Sequence, residues 1–232
     1  MLKKTACIHQ PDFVPYLGFF QRLLMADVFV ILDDVQFIRR GWQHRDYIKG
    51  RNGRRWLTLS LQKGDFHQRI NQVMLSNDKS WRNSHLNLLK DSYKRSKFFE
   101  TIYPIIESIY LHPYDSLLDF NIAFLELGFK YFDIEILISY SSQYEVNYCG
   151  SLRILELVKR VRCETYLAGV GSRDYLDENL FEENNISVQW QRFKHPRYPQ
   201  VSGNFVPMLS FLDVLFNCGK NSAKVIRTTM GG

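Results

Sequence analysis

Three short stretches of polar residues each follow an apolar segment whose composition is typical of a β-strand. The stretches begin at His9, Asp33 and Gly169. In open parallel sheets, ligands bind beside the carboxyl ends of the strands. We therefore expect these stretches to meet in one cleft and to carry the chemistry of the protein.

The first two stretches contain groups suited to acid–base chemistry. The pKa of a histidine lies near neutrality, so His9 can act as a general base, or it can be a structural histidine within a loop. Asp33 and Asp34 can bind magnesium or orient a substrate amine, or they can form a turn that ends the strand. The neighbouring Gln10 and Gln36 are predicted ligand contacts.

The third stretch is a glycine loop. Gly169 and Gly171 let the backbone approach a ligand closely. A helix that starts directly after the loop would place Ser172 and Arg173 at an anion site. A short GxG pattern also occurs often by chance, so the loop alone does not define a ligand.

A basic segment in residues 39–55 holds seven Lys or Arg side chains and one acid. Three aromatic residues are interleaved with it or follow it: Trp42, Tyr47 and Trp56. This pattern suits a phosphate-bearing ligand with a stackable base, with Arg45 as a planar fork and Lys49 as a point charge. It suits an ordinary solvated hairpin equally well.

Further polar residues lie late in the chain. Tyr198 and Gln200 precede a predicted helix on which Asp213 and Asn217 share a face by four-residue spacing. This polar face could line a cleft, or it could be exposed to water.

Composition limits the class of protein. The 232 residues carry a net charge of +6, and 45% of them are apolar, which excludes intrinsic disorder. No apolar run approaches the roughly 20 residues of a membrane helix, and no leader peptide is evident. The four dispersed cysteines form no CxxC, so we expect reduced thiols, no metal site and a cytoplasmic location. The basic balance (pI about 9.1) would attract nucleic acid or phosphorylated metabolites.

The apolar pattern alternates between strand and helix periods. Strands are predicted at residues 6–8, 28–32, 134–139, 165–168 and 186–190, and helices at 16–24, 152–161, 175–184 and 207–217. The last helix is expected to have Pro207 in its first turn. A β-hairpin is predicted around residues 50–53 and a helical insertion at about 79–128. The expected fold is a single α/β domain over residues 1–232, with a Rossmann-like, mostly parallel sheet in three layers.

Five motifs resemble the WbqC-like protein family, and together they run nearly from end to end. They are IHQPxxxPxxGFF at residues 8–20, ADxFVxLDDVQF at 26–37, YLD at 175–177, YPQ at 198–200 and LSxxDxLFNCG at 209–219. The resemblance implies a place in bacterial gene clusters for O-antigen or other surface polysaccharides. It does not by itself specify a reaction.

A partial resemblance links the chain to HIGH-type nucleotidyltransferases, among them pantothenate synthetase. The strand, proline-rich loop and helix containing Gly18 resemble the opening of these enzymes, and residues 171–175 resemble a nucleotide-binding segment. Such enzymes activate a carboxylate with ATP and pass it to an amine. Tyr16 and Phe19 stand near the positions of the two signature histidines, so the resemblance favours the architecture over adenylate chemistry.

These observations lead to one expected function and two alternatives. The preferred hypothesis is a transferase that forms an amide on the amino group of a nucleotide-linked amino sugar, using an activated amino acid or other acyl donor. ATP and magnesium are the cofactors this reaction could use, and a homo-oligomer is possible. The alternatives are a non-catalytic sugar-nucleotide-binding or assembly protein of the same pathway, and an RNA-binding or aminoacyl-tRNA-dependent protein, which is less favoured.

Overall fold

A five-stranded parallel sheet forms the centre of the computed structural model, which describes residues 3–230. In chain order its strands are β1 (Thr5–His9), β2 (Val28–Ile31), β5 (Leu137–Tyr140), β6 (Thr165–Ala168) and β7 (Ser187–Trp190). In space their order is β5-β2-β1-β6-β7, and every neighbouring pair is parallel. The predicted α/β, Rossmann-like sheet is confirmed.

Side chains of the central strands point alternately to the two faces of the sheet. Ala6 and Ile8 of β1 belong to one apolar cluster, whereas Cys7 between them belongs to the other. Burial on both faces explains why β2 reads as a continuous apolar run instead of an alternating one. The two clusters on opposite faces give the predicted three layers.

The helices divide between the two faces of this sheet. In chain order they are α1 (Leu17–Leu24), α2 (Ser80–Tyr93), α3 (Phe99–Leu111), α4 (Leu117–Phe132), α5 (Gly150–Arg160), α6 (Glu178–Glu183), α7 (Phe211–Cys218) and α8 (Ser222–Arg227). Helices α1 to α4 and α7 share the larger, aromatic-rich cluster, and α5 and α6 pack on the other face. The segment predicted as a helical insertion is thus three helices whose apolar faces continue the main core.

The basic segment folds into the predicted hairpin, with β3 (Arg45–Gly50) antiparallel to β4 (Gly53–Thr58). Gly53 has φ +126°, a backbone conformation that other residues rarely adopt, so the Asn-Gly pair fixes this tight turn. The hairpin lies outside the main sheet.

Two predicted helix starts are wrong, each for a local reason. Helix α7 begins at Phe211, where Ser210 caps it, because Met208 has φ +59° and interrupts any helix starting at Pro207. Helix α6 begins at Glu178 and not at 175, because residues 170–172 form a separate 3₁₀ turn. Helix α8 was not predicted. Within residues 3–230, no helix has the length and apolar character that would let it cross a bilayer.

Candidate functional site

The strand order reverses between β1 and β6: β2 and β5 lie on one side of β1, and β6 and β7 lie on the other. β1 and β6 are therefore neighbours in space although they are distant in the chain. In such folds the crevice beside the carboxyl ends of these two strands is the usual ligand site. A cavity of about 830 Å³ lies at this position, within the size range of small-molecule sites. Its walls come from the loops after β1 and β6, from the hairpin and from the first turn of α5.

The loop after β1 is held against α4 and the hairpin by buried amides. Nδ2 of Asn121 donates to the carbonyl oxygens of Pro11 (2.8 Å) and Gln43 (2.7 Å). The Gln43 side chain in turn donates to that of Gln10. These bonds fix the loop that carries His9 and Asp12 into the cavity.

His9 is a neutral imidazole at ordinary pH. Burial and then the nearby Arg22 charge lower the pKa of His9 to about 3. Its Nδ1 lies 3.0 Å from the carbonyl oxygen of Gln10, which only an N–H can contact favourably, so Nε2 carries the lone pair. The 3.7 Å separation between His9 Nδ1 and Asp12 Oδ2 is therefore not an ion pair.

Asp12 is a buried carboxyl group that faces the cavity. It is 7% exposed, and burial raises its pKa to about 7 although the Arg22 charge opposes the shift. Among the described residues, no donor lies within hydrogen-bond distance of its carboxylate. Asp46 of β3 lines the same cavity, and burial likewise raises its pKa well above the ordinary value. The Asp12 charge adds to the rise in the pKa of Asp46, and the hydrogen bond from the Tyr47 backbone N–H opposes it.

The mouth of the cavity is aromatic and basic. Tyr47 and Trp56 stack with ring centroids 3.7 Å apart, and Trp42 lies 5.9 Å from Trp56. Trp42 is 50% exposed, and the Arg54 guanidinium lies 5.5 Å from the Tyr47 ring. Trp42, Tyr47 and Arg54 line the cavity, so a planar group entering it would meet aromatic faces and one cation.

Five of the predicted site residues come together in this cavity. They are His9, Gln10, Gly169, Gly171 and Ser172. Ser172 Oγ lies 2.9 Å from the Tyr175 hydroxyl at the cavity wall. The glycine loop contributes through its 3₁₀ turn, because the expected helix N-terminus lies further along the chain.

Asp33 lies outside this cavity, in a network that joins the end of β2 to neighbouring segments. Its carboxylate accepts hydrogen bonds from Ser142 N (3.0 Å), Ser142 Oγ (2.7 Å) and Asn71 Nδ2 (3.2 Å), and it lies 3.1 Å from Ser141 Oγ, whose single proton is donated to Asp34. The expected role in orienting a substrate amine has no support from this position, because every direction of approach is taken by a protein donor.

Asp34 is held in the same network, beside a smaller polar recess. It accepts a hydrogen bond from Ser141 and forms a 2.6 Å ion pair with Arg153. Burial alone would raise the pKa of Asp34, but the Ser141 hydroxyl and the Arg153 guanidinium hold it below the ordinary value. Since protein donors already occupy both aspartates, they do not fit a magnesium site.

The predicted phosphate-binding pair on the hairpin also lies elsewhere. The Arg45 guanidinium is 4.2 Å from the Trp56 ring and donates to the Arg40 carbonyl oxygen. Lys49 is buried, and its Nζ donates to Gln200 and to the backbone of the following loop. Neither side chain lines the cavity.

The remaining predicted residues form internal contacts or lie at the surface. The Asp213 carboxylate accepts from Tyr198 (2.9 Å) and Gln200 (2.8 Å), and Asn217 donates to the Asp213 backbone. This polar face of α7 is buried, so it neither lines the cavity nor meets water, and burial raises the pKa of Asp213 to about 6. Gln36 bonds to the Phe66 backbone, and Arg173 lies over Trp190.

The cavity contains residues that sequence reasoning did not select. Asp12, Tyr16, Arg22 and Arg54 all line it. One signal was available: Arg22 is the only charged residue in helix α1, LGFFQRLL, where Gln21 is the one other polar side chain. Asp12 lay inside the polar stretch that begins at His9, but nothing local showed that it lacks a partner.

The structure is a Rossmann-like α/β fold with a cavity at the switch point of its sheet. The model of the WbqC-like protein family matches residues 10–225, and the chain belongs to this family. It is 32% identical over 231 residues to the uncharacterized protein Rv1507c of Mycobacterium tuberculosis (strain ATCC 25618 / H37Rv), covering 97% of this chain and 98% of that protein. Membership of the family suggests a role related to polysaccharide biosynthesis.

Proposed function

We propose that this protein is a transferase that forms an amide on the amino group of a nucleotide-linked amino sugar. The observation that carries the proposal is the convergence of His9, Asp12 and the glycine loop on one cavity at the sheet switch point. The family supplies the polysaccharide context, and the cavity supplies acid–base groups together with an aromatic, basic mouth.

In the proposed reaction, the amine nitrogen attacks the carbonyl carbon of an activated acyl donor. A C–N bond forms, the bond between the acyl carbon and its activating group breaks, and that group leaves with the electron pair. The nitrogen loses one proton to the Asp12 carboxylate. A base with a pKa near 7 suits this step, because it is partly ionised at neutral pH yet basic enough to accept the proton.

His9 takes a different role from the one first expected. A group with a pKa of about 3 is a weak base, so His9 serves as a neutral hydrogen-bond acceptor through Nε2. Positioned beside Asp12, it orients the substrate amine.

The nucleotide part is assigned to the mouth of the cavity. Stacking of a base on an aromatic side chain contributes about 1–3 kcal/mol, and it tolerates different bases. Trp42 offers a half-exposed face for such stacking, and Arg54 lies close enough to meet a phosphate. In this proposal the sugar lies toward the interior, beside Asp12 and His9.

The test is product formation with the full chain. A panel of UDP-, GDP-, CMP- and dTDP-linked amino sugars is mixed with activated amino acids, or with ATP and free amino acids, and amides are detected by mass spectrometry. We expect one pair to react, and Asp12→Asn to lower kcat about 100-fold with little change in KM. Tight sugar-nucleotide binding without any product would favour the non-catalytic binding protein instead.

A further inference from the structure

Arg22 is a buried cation without a counter-ion. It lies on α1, is 4% exposed and lines the cavity floor. Within the described part of the chain, no carboxylate oxygen lies within 4.0 Å of its guanidinium, and its Nε has no hydrogen-bond partner. Its closest aromatic neighbour is Phe19, with the guanidinium carbon 6.0 Å from the ring centroid.

Arg82 and Arg153 also leave Nε without a hydrogen-bond partner, but protein acceptors hold their terminal guanidinium nitrogens, and no acceptor within the described residues holds those of Arg22. The Arg82 guanidinium donates to the carbonyl oxygens of Tyr110 (2.6 Å), His112 (3.1 Å) and Tyr114 (2.6 Å). Arg153 is paired with Asp34 at 2.6 Å. A buried charge is costly unless it is paired and hydrogen-bonded. Arg82 is hydrogen-bonded to three carbonyl oxygens and Arg153 is paired with a carboxylate, whereas Arg22 has neither kind of partner among the described residues.

The glycine loop is shaped to accommodate Arg22. A Cβ atom at position 169 would lie 2.8 Å from Nη1 of Arg22 and 3.3 Å from its guanidinium carbon. Gly169 has φ −75° and ψ 151°, which any residue can adopt, so the turn does not require glycine. The absence of a side chain instead leaves space for the guanidinium beneath the loop.

We propose that Arg22 binds an oxyanion of the ligand, a carboxylate or a phosphate, at the cavity floor beside Gly169. Guanidinium binds both groups as a planar fork, and in a site screened from water the bond is strong. This inference rests on the proposed function, because it uses the same cavity. It adds that the part of the ligand that reaches the cavity floor is negatively charged. The oxyanion belongs to the acyl donor, as its carboxylate or as its activating phosphate, because the nucleotide of the amino sugar is assigned to the mouth of the cavity.

The experiment measures binding of two small probes, inorganic phosphate and acetate, to the full chain by NMR titration. We expect saturable binding of at least one probe, and a loss of more than tenfold in affinity in Arg22→Met. Arg22→Lys keeps the charge but not the fork and should give an intermediate affinity. Arg160→Met, which removes an exposed arginine remote from the cavity, is the matched control and should bind as the parent does.

Gly169→Ala keeps the test decisive if Arg22→Met folds poorly. The added methyl group must displace the guanidinium while leaving its charge in place, so we expect affinity to fall about tenfold. Preferred binding of acetate would assign the floor to the carboxylate of the acyl donor, and preferred binding of phosphate would assign it to the phosphate that activates this donor.

Unchanged affinity in both Arg22→Met and Gly169→Ala, or no binding of either probe to the parent, would overturn the inference. These outcomes are independent of amide formation. Arginine-dependent probe binding in a chain that makes no product would contradict the transferase and leave the oxyanion site intact.

Discussion

Two neighbouring strands of the sheet end in polar groups, and the structure treats those groups in opposite ways. After β2, the carboxylates of Asp33 and Asp34 are filled by hydroxyl, amide and guanidinium donors. After β1, Asp12 has no protein donor within the described residues, and Arg22 beside it has no counter-ion. From the sequence alone, both strand ends were predicted to carry functional residues.

The difference teaches that hydrogen-bond saturation separates a structural polar cluster from a candidate binding site. Buried polar groups are stable when they are satisfied within the protein, and exceptions call for an explanation. The polar groups at the end of β2 need no such explanation, because they are satisfied by a hydrogen-bond network that joins three segments of the chain. The β1 end leaves a carboxyl group and a guanidinium facing an open cavity, which is the state expected of groups that await a ligand.

The largest effect is expected when the β2 network is broken. Asp33→Ala leaves the backbone N–H and hydroxyl of Ser142 and the amide of Asn71 without their acceptor, so the free energy of unfolding should fall by about 3 kcal/mol. Urea denaturation followed by circular dichroism measures this change. Asp12→Ala is the matched comparison at the β1 end and should cost less than about 1 kcal/mol at pH 7. Equal losses in the two variants would abolish the distinction between the strand ends.

A pH series sharpens the comparison at Asp12. The pKa of this group is about 7 in the folded state against 3.8 ordinarily, so between pH 4 and pH 7 the unfolded chain releases a proton that the folded chain retains. The stability contributed by this proton is present at pH 4 and is lost as the pH rises to 7.

Replacement of Asp12 by Asn should remove that slope and stabilise the protein by about 2 kcal/mol at pH 8. The measurement is the difference in unfolding free energy between parent and variant from pH 4 to 8. Asp34→Asn is the control with the opposite sign, because its pKa is lowered and its ionised form is the stabilising one. A parent-minus-variant difference that does not change with pH would show that Asp12 is not a buried, donor-free acid.

A smaller effect is expected at the cavity mouth. Trp42→Ala removes the exposed stacking face, so affinity for the nucleotide-linked amino sugar that binds best should fall about tenfold, or about 1.4 kcal/mol. Isothermal titration calorimetry gives both affinities. Phe66→Ala removes an exposed aromatic side chain outside the cavity and serves as the control. Parent-like affinity in Trp42→Ala would place the nucleotide elsewhere.

The smallest effect is expected at Arg45, which sequence reasoning placed on a phosphate. Its guanidinium packs on Trp56 away from the cavity, so Arg45→Met should change the same affinity less than twofold. A loss of tenfold or more would restore the hairpin arginine to the binding site and weaken the role given to Arg54.

The parts of the fold set by local pattern were predictable, and those set by tertiary contacts were not. The apolar run of β2 and the Asn-Gly turn carry their structure in a few adjacent residues. Helix α7 was misplaced because distant partners hold the chain where it begins: the backbone N–H of Ser210 donates to the Tyr47 carbonyl oxygen and that of Phe211 to the Pro15 carbonyl oxygen. The same limit applies to the site: a motif locates Asp33, but only its distant partners Ser142 and Asn71 reveal that it is already saturated.

The most direct test of the central claim is a crystal structure of the protein with its tightest-binding nucleotide-linked amino sugar. We predict the ligand in the cavity between the β1 and β6 loops, with the sugar beside Asp12, its base on Trp42 and the Asp34–Arg153 ion pair intact. A ligand bound at Asp33 and Asp34, with Arg153 displaced from Asp34, would contradict the account.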